Sequence, residues 1–225
     1  MKFNGNFIGY EKPNTSIAID GIIYKYNNFG HRCKNIEEID LENYILFAGC
    51  SHTEGEGLHI EHTYPYLTAK ELDTDYYNLG IRASGFDVLF YNVMSWLALY
   101  PKPKLVVIQY PDPSRFAIPA EPAPLIIPMG PWRKREGDVD FLLKAEELGL
   151  FSIRNFCHNQ ILNHYIQVPL VKLVFGGTKS FDSESIRIEK LDYAVDNMHY
   201  GTETHEMCAE IVSDKYHNAT VHKHI

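Results

Sequence analysis

The stretch YILFAGCSHT, Tyr44–Thr53, is the most informative part of this sequence. Its first half, Tyr44–Ala48, is a short run of apolar residues that stops at Gly49. Runs of this length without polar alternation are typical of strands buried on both faces of a parallel sheet. The stretch therefore predicts a buried strand that is followed at once by a turn carrying Cys50 and Ser51.

A second apolar run and several helical patterns extend this strand into an alternating chain. Leu105–Ile108 repeats the continuous apolar pattern. Helical patterns are predicted for residues 63–72, 86–100, 138–148, 155–174 and 202–216. Alternation of strands and helices with short connections is typical of a parallel sheet that helices cover on both faces.

Two parts of the chain do not follow this alternation. Residues 1–43 are polar and rich in turn residues, so we expect an extension packed on a single domain of residues 44–225. Seven of the twelve prolines fall between Pro111 and Pro131. That concentration predicts a long loop over residues 111–131 without regular structure.

Composition and charge exclude several classes of protein. The 225 residues are 45% hydrophobic and 22% charged, which excludes wholesale disorder. A net charge of −8 without a basic run argues against a nucleic-acid partner. No segment approaches the ~20 apolar residues of a membrane span, and no signal-peptide core is found near Met1. We therefore expect a cytoplasmic protein with no membrane partner, whose four widely spaced cysteines are reduced thiols.

Two polar groups have the residue types of a nucleophile and its base. Ser51 stands at the carboxyl end of the first strand, where open α/β sheets place their ligands, although such a serine often only caps the next segment. Asp196 and His199 lie three residues apart before the last helix. A serine nucleophile needs a base and an acceptor that orients the base. Either residue alone is usually structural, but together they match this requirement.

Several other residues are weaker candidates. Cys50 is a conceivable nucleophile, but strand alternation predicts that it points away from Ser51 into the core. Arg115 could meet an anionic group of a substrate, whereas a surface arginine is the default interpretation. The pattern Gly55-x-Gly57 alone is too weak to indicate nucleotide binding.

Three histidines cluster in the sequence without the pattern of a metal site. They are His52, His59 and His62. They form no regular helical pair, and no cysteine or carboxylate completes a ligand set. We expect solvated histidines and no metal.

Four blocks of this sequence resemble those of the SGNH/GDSL hydrolases, in the same order. The family's Gly-Asp-Ser-x-Thr, Asn-x-Gly, strand-end and Asp-x-x-His blocks correspond to residues 49–53, 78–80, 106–112 and 196–199. Cys50 replaces the aspartate of the first block. The resemblance implies that Ser51 is the nucleophile, His199 the general base and Asp196 its orienting partner.

Two departures from the family concern the oxyanion hole. Gln109–Asp112 stands where the family has Gly-x-Asn-Asp, so the asparagine donor is missing, and Pro111 has no N–H to replace it. An ungapped count of the second block puts Ala83 at the position of the oxyanion glycine, and Gly85 is reached only with a gap. An alanine can offer its N–H there if its φ is negative. The resulting candidate donors are Ser51, Ala83, Gly85 and Gln109.

The resemblance also implies a fold and a function. The fold is a three-layer α/β/α sandwich of the flavodoxin-like kind, with a mostly parallel sheet of about five strands. The function is that of a serine esterase acting on a small-molecule or glycan ester, such as an O-acylated carbohydrate, through an acyl-Ser51 intermediate and without a cofactor. The intact set of Ser51, Asp196 and His199 favours this interpretation.

A second interpretation stays open. The first block together with Pro-Asp-x-x-Arg at 111–115 is similar to SGNH-like proteins encoded by tailed phages. The chain could then be a weakly active or inactive binding module with structural partners in a virion. The replacement of the usual donor by residues 109–111 favours this alternative.

Overall fold

The strand that precedes Ser51 lies inside a five-stranded parallel sheet. The computed structural model describes residues 1–120, 125–176, 178 and 182–221. The strands in these ranges are β1 (Lys2–Asn4), β2 (Phe7–Gly9), β3 (Ser16–Ile19), β4 (Ile22–Lys25), β5 (Tyr44–Ala48), β6 (Asp75–Asn78), β7 (Leu105–Tyr110), β8 (Phe116–Ala120), β9 (Leu125–Met129), β10 (Leu170–Phe175) and β11 (Ile186–Ile188). The helices are α1 (Ser51–Glu54), α2 (Tyr64–Glu71), α3 (Phe86–Leu99), α4 (Glu136–Glu147), α5 (Leu150–Tyr165) and α6 (Thr202–Val221), with 3-10 turns at Ile36–Glu38 and Ile60–His62.

The order of the strands places Ser51 at a change of direction in the sheet. The order is β11-β10-β7-β5-β6, and every neighbouring pair is parallel. From β5 the chain adds β6 on one side and then β7, β10 and β11 on the other. Open α/β sheets bind ligands at the carboxyl ends of the strands beside such a reversal. Ser51 follows β5 after only two residues and so lies at this place.

Alternate residues of β5 face two separate apolar cores, one on each face of the sheet. Leu46 lies in a buried cluster with residues of α3 and α5. Phe47 lies in a second buried cluster with residues of α2 and α6. All five residues of β5 are buried, as the continuous apolar run predicts. The expected three-layer α/β/α sandwich on a five-stranded parallel sheet is therefore confirmed.

The prediction of a long loop over residues 111–131 was wrong, because this segment contains an antiparallel hairpin. β8 and β9 pair from Phe116 with Met129 to Ala120 with Leu125. β8 is the edge of a second sheet of order β2-β1-β9-β8, and β1 reaches β9 only at Leu125. Proline is tolerated at strand edges, where its missing N–H breaks no ladder hydrogen bond. Pro119 lies on the edge strand β8, and Pro128 lies in the part of β9 that β1 does not pair.

The predicted helix over residues 155–174 was also partly wrong. Its first part lies in α5, which ends at Tyr165, but its last part is the buried strand β10. A short apolar run does not distinguish a buried strand from a buried helix by periodicity alone. Pro169, directly before β10, was the local signal for a break.

Residues 1–43 pack against the three-layer unit. Phe7 is fully buried in the apolar cluster that contains Leu46. Lys2 of β1 pairs with Leu125 of β9. In the described ranges, no helix has both the length and the apolar character that crossing a membrane requires.

Candidate active site

The turn after β5 brings its backbone unusually close to the neighbouring strand. A Cβ on Gly49 would lie 2.0 Å from Thr53 Oγ1 and 2.8 Å from Gln109 Oε1, so only glycine fits there. The Cys50 N–H donates to Gln109 Oε1 at 2.9 Å. α1 begins at Ser51, which is 5% exposed. The close contact with β7 therefore fixes the position of Ser51.

The structure brings Ser51, His199 and Asp196 into one chain of hydrogen bonds. Ser51 Oγ lies 2.9 Å from His199 Nε2. On the other side of the ring, His199 Nδ1 lies 2.5 Å from Asp196 Oδ2. The serine comes from the end of β5, and the other two come from the loop before α6, 145 to 148 positions later in the sequence. A serine, an imidazole and a carboxylate in this order can transfer the serine proton to the ring.

The loop itself keeps the Asp196 carboxylate charged. Its Oδ1 accepts the backbone N–H of Met198 and that of His199, both at 2.9 Å. Partial burial alone would raise the pKa of Asp196, but these hydrogen bonds and the His199 ring hold it below its usual value. Because an ionised carboxylate accepts the Nδ1–H, the free lone pair of the neutral ring lies on Nε2, facing Ser51.

The second sequence block lies directly under α1. The Asn78 side chain donates to Thr53 O at 2.8 Å, and the Gly80 N–H donates to Asn78 Oδ1 at 2.8 Å. Ser84 Oγ donates to Gly49 O at 3.1 Å, which brings the turn of residues 83–85 next to the serine turn. Ala83, however, has a φ of +55°, so the negative φ expected for an alanine donor is not found. Gly85 is extended, with a φ of −96°.

Gln109 and Arg115 lie near this turn in different environments. Gln109 is 1% exposed, and its side-chain nitrogen donates to Tyr110 O at 2.6 Å while its oxygen supports Cys50. Arg115 lies over the Trp132 ring, 5.1 Å from its centroid, and its buried Nε has no hydrogen-bond partner among the described residues. Gln109 thus supports the serine turn, and Arg115 packs on Trp132.

Two expectations about the residues beside Ser51 need correction. His52 is not solvated, because its ring packs against Phe175, Tyr200 and His199 at centroid distances of 4.7 to 5.2 Å. Burial lowers the pKa of His52 well below its usual value. Cys50 is buried as predicted, but its Sγ lies 3.9 Å from Ser51 Oγ, because α1 starts here and ends the strand alternation.

A buried ionic group beside Ser51 and His199 was not predicted from the sequence. Arg82 Nε lies 3.1 Å from Glu54 Oε2, and Arg82 Nη1 lies 3.5 Å from Glu56 Oε1. Tyr26 donates its hydroxyl hydrogen to Glu54 at 2.9 Å. Glu56 Oε2 in turn lies 3.4 Å from His199 Nε2. The local signal was the pair of acidic residues on either side of Gly55, but their partners come from distant parts of the chain.

The described residues include no group of three or more His, Cys, Asp or Glu side chains that could hold a metal ion.

Comparison with solved structures finds distant likenesses. A family 2 carbohydrate esterase with a carbohydrate-binding domain from Corynascus thermopiles (Myceliophthora fergusii) matches with a TM-score of 0.48 and 14% identity over 80% of this chain and 67% of that chain. A family two carbohydrate esterase from Clostridium thermocellum gives a TM-score of 0.48 and 14% identity over 80% of this chain and 65% of that chain. A protein described as a putative lipolytic protein of the G-D-S-L family from Desulfitobacterium hafniense gives a TM-score of 0.45 and 13% identity over 77% of this chain and 99% of that chain.

The chain spans about two thirds of the length of these two carbohydrate esterases. No protein-family model matches the sequence, and comparison with curated proteins finds no match.

Proposed function

We propose that this protein is a serine ester hydrolase that acts through an acyl-Ser51 intermediate. The observation that carries the proposal is the hydrogen-bonded order of Ser51 Oγ, His199 and Asp196, with distances of 2.9 and 2.5 Å. This order supplies a nucleophile, a base that accepts its proton and a carboxylate that orients the base. Neither a metal nor an organic cofactor is needed for this chemistry.

The reaction has two stages. Ser51 Oγ forms a bond to the ester carbonyl carbon while its proton moves to His199 Nε2. The tetrahedral intermediate then collapses, the carbon–oxygen bond to the alcohol breaks, and the same proton leaves with the alcohol. In the second stage, a water molecule gives a proton to His199 and attacks the acyl carbon, and Ser51 Oγ recovers that proton as the acid is released.

The oxyanion donors in this proposal are backbone groups. The N–H of Ser51 and an N–H of the adjoining turn 83–85 would face the developing charge. Gln109 is assigned a different task, since its nitrogen already donates to Tyr110 O and its oxygen accepts from Cys50. Loss of a side-chain donor costs about 10²–10³ in kcat, so we expect slow acylation and easier reaction with activated esters.

The substrate class that we propose is an O-acylated carbohydrate or a similar polar alcohol. The Glu56 side chain is 26% exposed beside His199 and can accept hydrogen bonds from hydroxyl groups. The Trp132 ring, stacked with Arg115, is 40% exposed and offers an apolar face to the C–H groups of a sugar. Pockets for polar ligands commonly combine an aromatic surface with a few oriented polar groups.

The test uses the purified chain with a short-chain aryl ester and a fluorophosphonate reagent. We expect ester hydrolysis and a phosphonate adduct on Ser51 detected by mass spectrometry. Ser51→Ala should lower kcat by several orders of magnitude and abolish the adduct. The control is Ser16→Ala, which removes an exposed hydroxyl from β3 and should change neither result.

The result that contradicts the proposal is a folded protein in which Ser51 reacts with neither reagent. That result would favour the alternative of a binding or structural module. Hydrolysis at equal rates by the protein and by Ser51→Ala would assign the activity to a contaminant.

A further inference from the structure

One nitrogen of His199 faces two side chains. Nε2 lies 2.9 Å from Ser51 Oγ and 3.4 Å from Glu56 Oε2. The other ring nitrogen is occupied by Asp196. Glu56 is therefore a second carboxylate on the imidazole, and it lies on the side where the serine proton arrives.

The backbone around Glu56 fixes its position relative to the nucleophile. The Glu56 N–H donates to Ser51 O at 3.0 Å. Gly55 and Gly57 on either side have φ values of +84° and +81°, a region that favours glycine. The Gly57 N–H donates to Tyr24 Oη at 2.8 Å. The Gly55-x-Gly57 pattern, too weak to indicate a nucleotide site, is here the turn that presents Glu56 to His199.

Arg82 holds the carboxylate of Glu56 from the far side. Its Nη1 lies 3.5 Å from Glu56 Oε1, and its side chain is 6% exposed. Its guanidinium stacks on the Tyr24 ring at 4.2 Å and is also paired with Glu54. Since Arg82 is itself fixed by these contacts, Glu56 has little freedom to turn away from His199.

We propose that Glu56 is a positioning residue that stabilises the protonated His199 ring formed while Ser51 attacks the ester. This inference rests on the proposed ester hydrolysis. In the resting state Nε2 carries a lone pair, so the Glu56 carboxylate has no hydrogen to accept from it and no positive charge to attract it. Once the proton of Ser51 reaches Nε2, the new N–H carries positive charge 3.4 Å from Glu56. The attraction therefore arises only as the reaction proceeds, which is the condition for lowering the barrier.

Other charges around the ring do not replace that of Glu56. The groups that face His199 are Asp196, Glu56 and His52, and His205 acts on it at longer range. Two cations act on its neighbours, Arg82 on Glu56 and Arg115 on His52. Burial lowers the pKa of His52 well below its ordinary value and that of His205 to about 3, so both are neutral at neutral pH. Arg82 opposes the protonated ring, and Glu56 stands between the two. Burial raises the pKa of Glu56, and the positive charges of Arg82 and His199 oppose this.

The proposal predicts two opposite effects of Glu56→Gln. Without the carboxylate, the ring loses its proton at lower pH, so the acid limb of kcat/KM should move by about one pH unit toward lower pH. The protonated ring in the transition state loses the same stabilisation, so the plateau rate should fall ~3–10-fold. A variant that only loosened the fold would lower the rate without moving the limb.

The experiment measures kcat/KM for an aryl ester between about pH 4.5 and 9. Glu56→Asp keeps the charge at a shorter reach and should give an intermediate midpoint, and it replaces Glu56→Gln if the latter does not fold. Glu61→Gln removes the same charge from an exposed position on the 3-10 turn of residues 60–62 and should leave the midpoint unchanged. A midpoint that is the same in the protein, Glu56→Gln and Glu56→Asp would overturn the proposal.

A second readout does not depend on activity. In the Ser51→Ala background, NMR follows the carbon-bound ring proton of His199 during a pH titration, assigned by its loss in His199→Asn. Adding Glu56→Gln should move this midpoint to lower pH by about one unit. An unchanged midpoint would overturn the proposal. A moved midpoint in a protein that hydrolyses no ester would reject the proposed function while leaving the action of Glu56 on His199 supported.

Discussion

At the scale of single residues, the Asp196 carboxylate has two tasks that one substitution can separate. Oδ1 accepts the two backbone N–H groups of its own loop, and Oδ2 accepts from the His199 ring. Asp196→Asn can keep the first oxygen but puts an NH₂ group opposite Nδ1. The ring must then carry its proton on Nε2, where it no longer accepts from Ser51. We expect kcat to fall by about 10⁴ with a small change in the free energy of unfolding.

The matched control is Asp192→Asn in the same loop region. Asp192 accepts the backbone N–H groups of Glu203 and Thr204 in the first turn of α6. Its loss should cost about 1 kcal/mol of stability and leave kcat nearly unchanged. Urea denaturation measures the stability of both variants, and steady-state kinetics measures their kcat. An equal loss of kcat in Asp196→Asn and Asp192→Asn would contradict a specific role of Asp196 in orienting the His199 ring.

The site residues that could be predicted from the sequence are those marked by a local pattern, and the others depend on long-range packing. Asp196 and His199 are three residues apart, and Ser51 directly follows a recognisable strand, so local spacing is informative. Glu56 and Arg82 lie 26 positions apart, and the contact of Glu56 with His199 depends on how α6 and its loop pack. Ala83 shows a further limit, since its φ of +55° is set by the turn and not by its residue type.

At the scale of elements, the turn of residues 55–57 connects the Ser51 turn with the loop of Asp196. A Cβ added to Gly57 would lie 2.6 Å from Ala194 Cβ and 3.2 Å from Asp196 Oδ2. Gly57→Ala should therefore displace the Asp196 loop, lowering kcat together with stability. We expect a stability loss ~1–3 kcal/mol larger than backbone strain alone would give.

Gly21→Ala isolates that backbone strain. Gly21 has a φ of +79°, close to the +81° of Gly57, but nothing lies within 4 Å of an added Cβ. The difference in unfolding free energy between the two variants, from urea denaturation, then measures the packing of the 55–57 turn against residues 194–196. Equal losses and an unchanged kcat in Gly57→Ala would show that this contact does not position Asp196.

The elements that the sequence predicted well are those whose pattern is repeated along a long buried stretch. α3 shows one apolar face over its whole length, and its predicted and observed ends differ by a single residue. The β8–β9 hairpin was missed because its residues are only partly buried and its prolines indicate a loop. These two segments are strands because they pair with each other and because β9 also pairs with β1. Local composition does not encode such pairing.

At the scale of the whole molecule, the N-terminal residues support the site from outside the parallel sheet. Arg32 is 1% exposed, and its guanidinium donates to the carbonyl groups of Gly55 and Leu58. Tyr24 and Tyr26 reach Gly57 and Glu54. The turn that presents Glu56 is thus held by side chains from residues 24–32. We expect its geometry to depend on the docking of this N-terminal segment.

The docking of this segment and the packing of α6 on α2 each include a buried neutral histidine, which makes the fold sensitive to acid. His31 Nδ1 lies 2.9 Å from Tyr77 Oη, and His31 Nε2 lies 3.0 Å from Ile8 O. Burial lowers the pKa of His31 to about 4. His205 Nδ1 accepts the Tyr64 N–H at 2.9 Å, and burial lowers its pKa to about 3. Both folded-state values lie below the ordinary value of ~6.5, so the unfolded chain binds more protons below that pH.

Stability should therefore fall as the pH drops from about 6.5 toward 4, by up to about 1.4 kcal/mol per pH unit for each histidine. Asp196 has a pKa lowered below its usual range, so its contribution is lost only at more acidic pH. His205→Asn keeps an acceptor oxygen near the Tyr64 N–H without a group that titrates. Urea denaturation at several pH values should give this variant a shallower slope. His62→Asn, at an exposed position, should retain the full slope. Identical slopes for the protein and His205→Asn would show that His205 is not the source of the acid sensitivity.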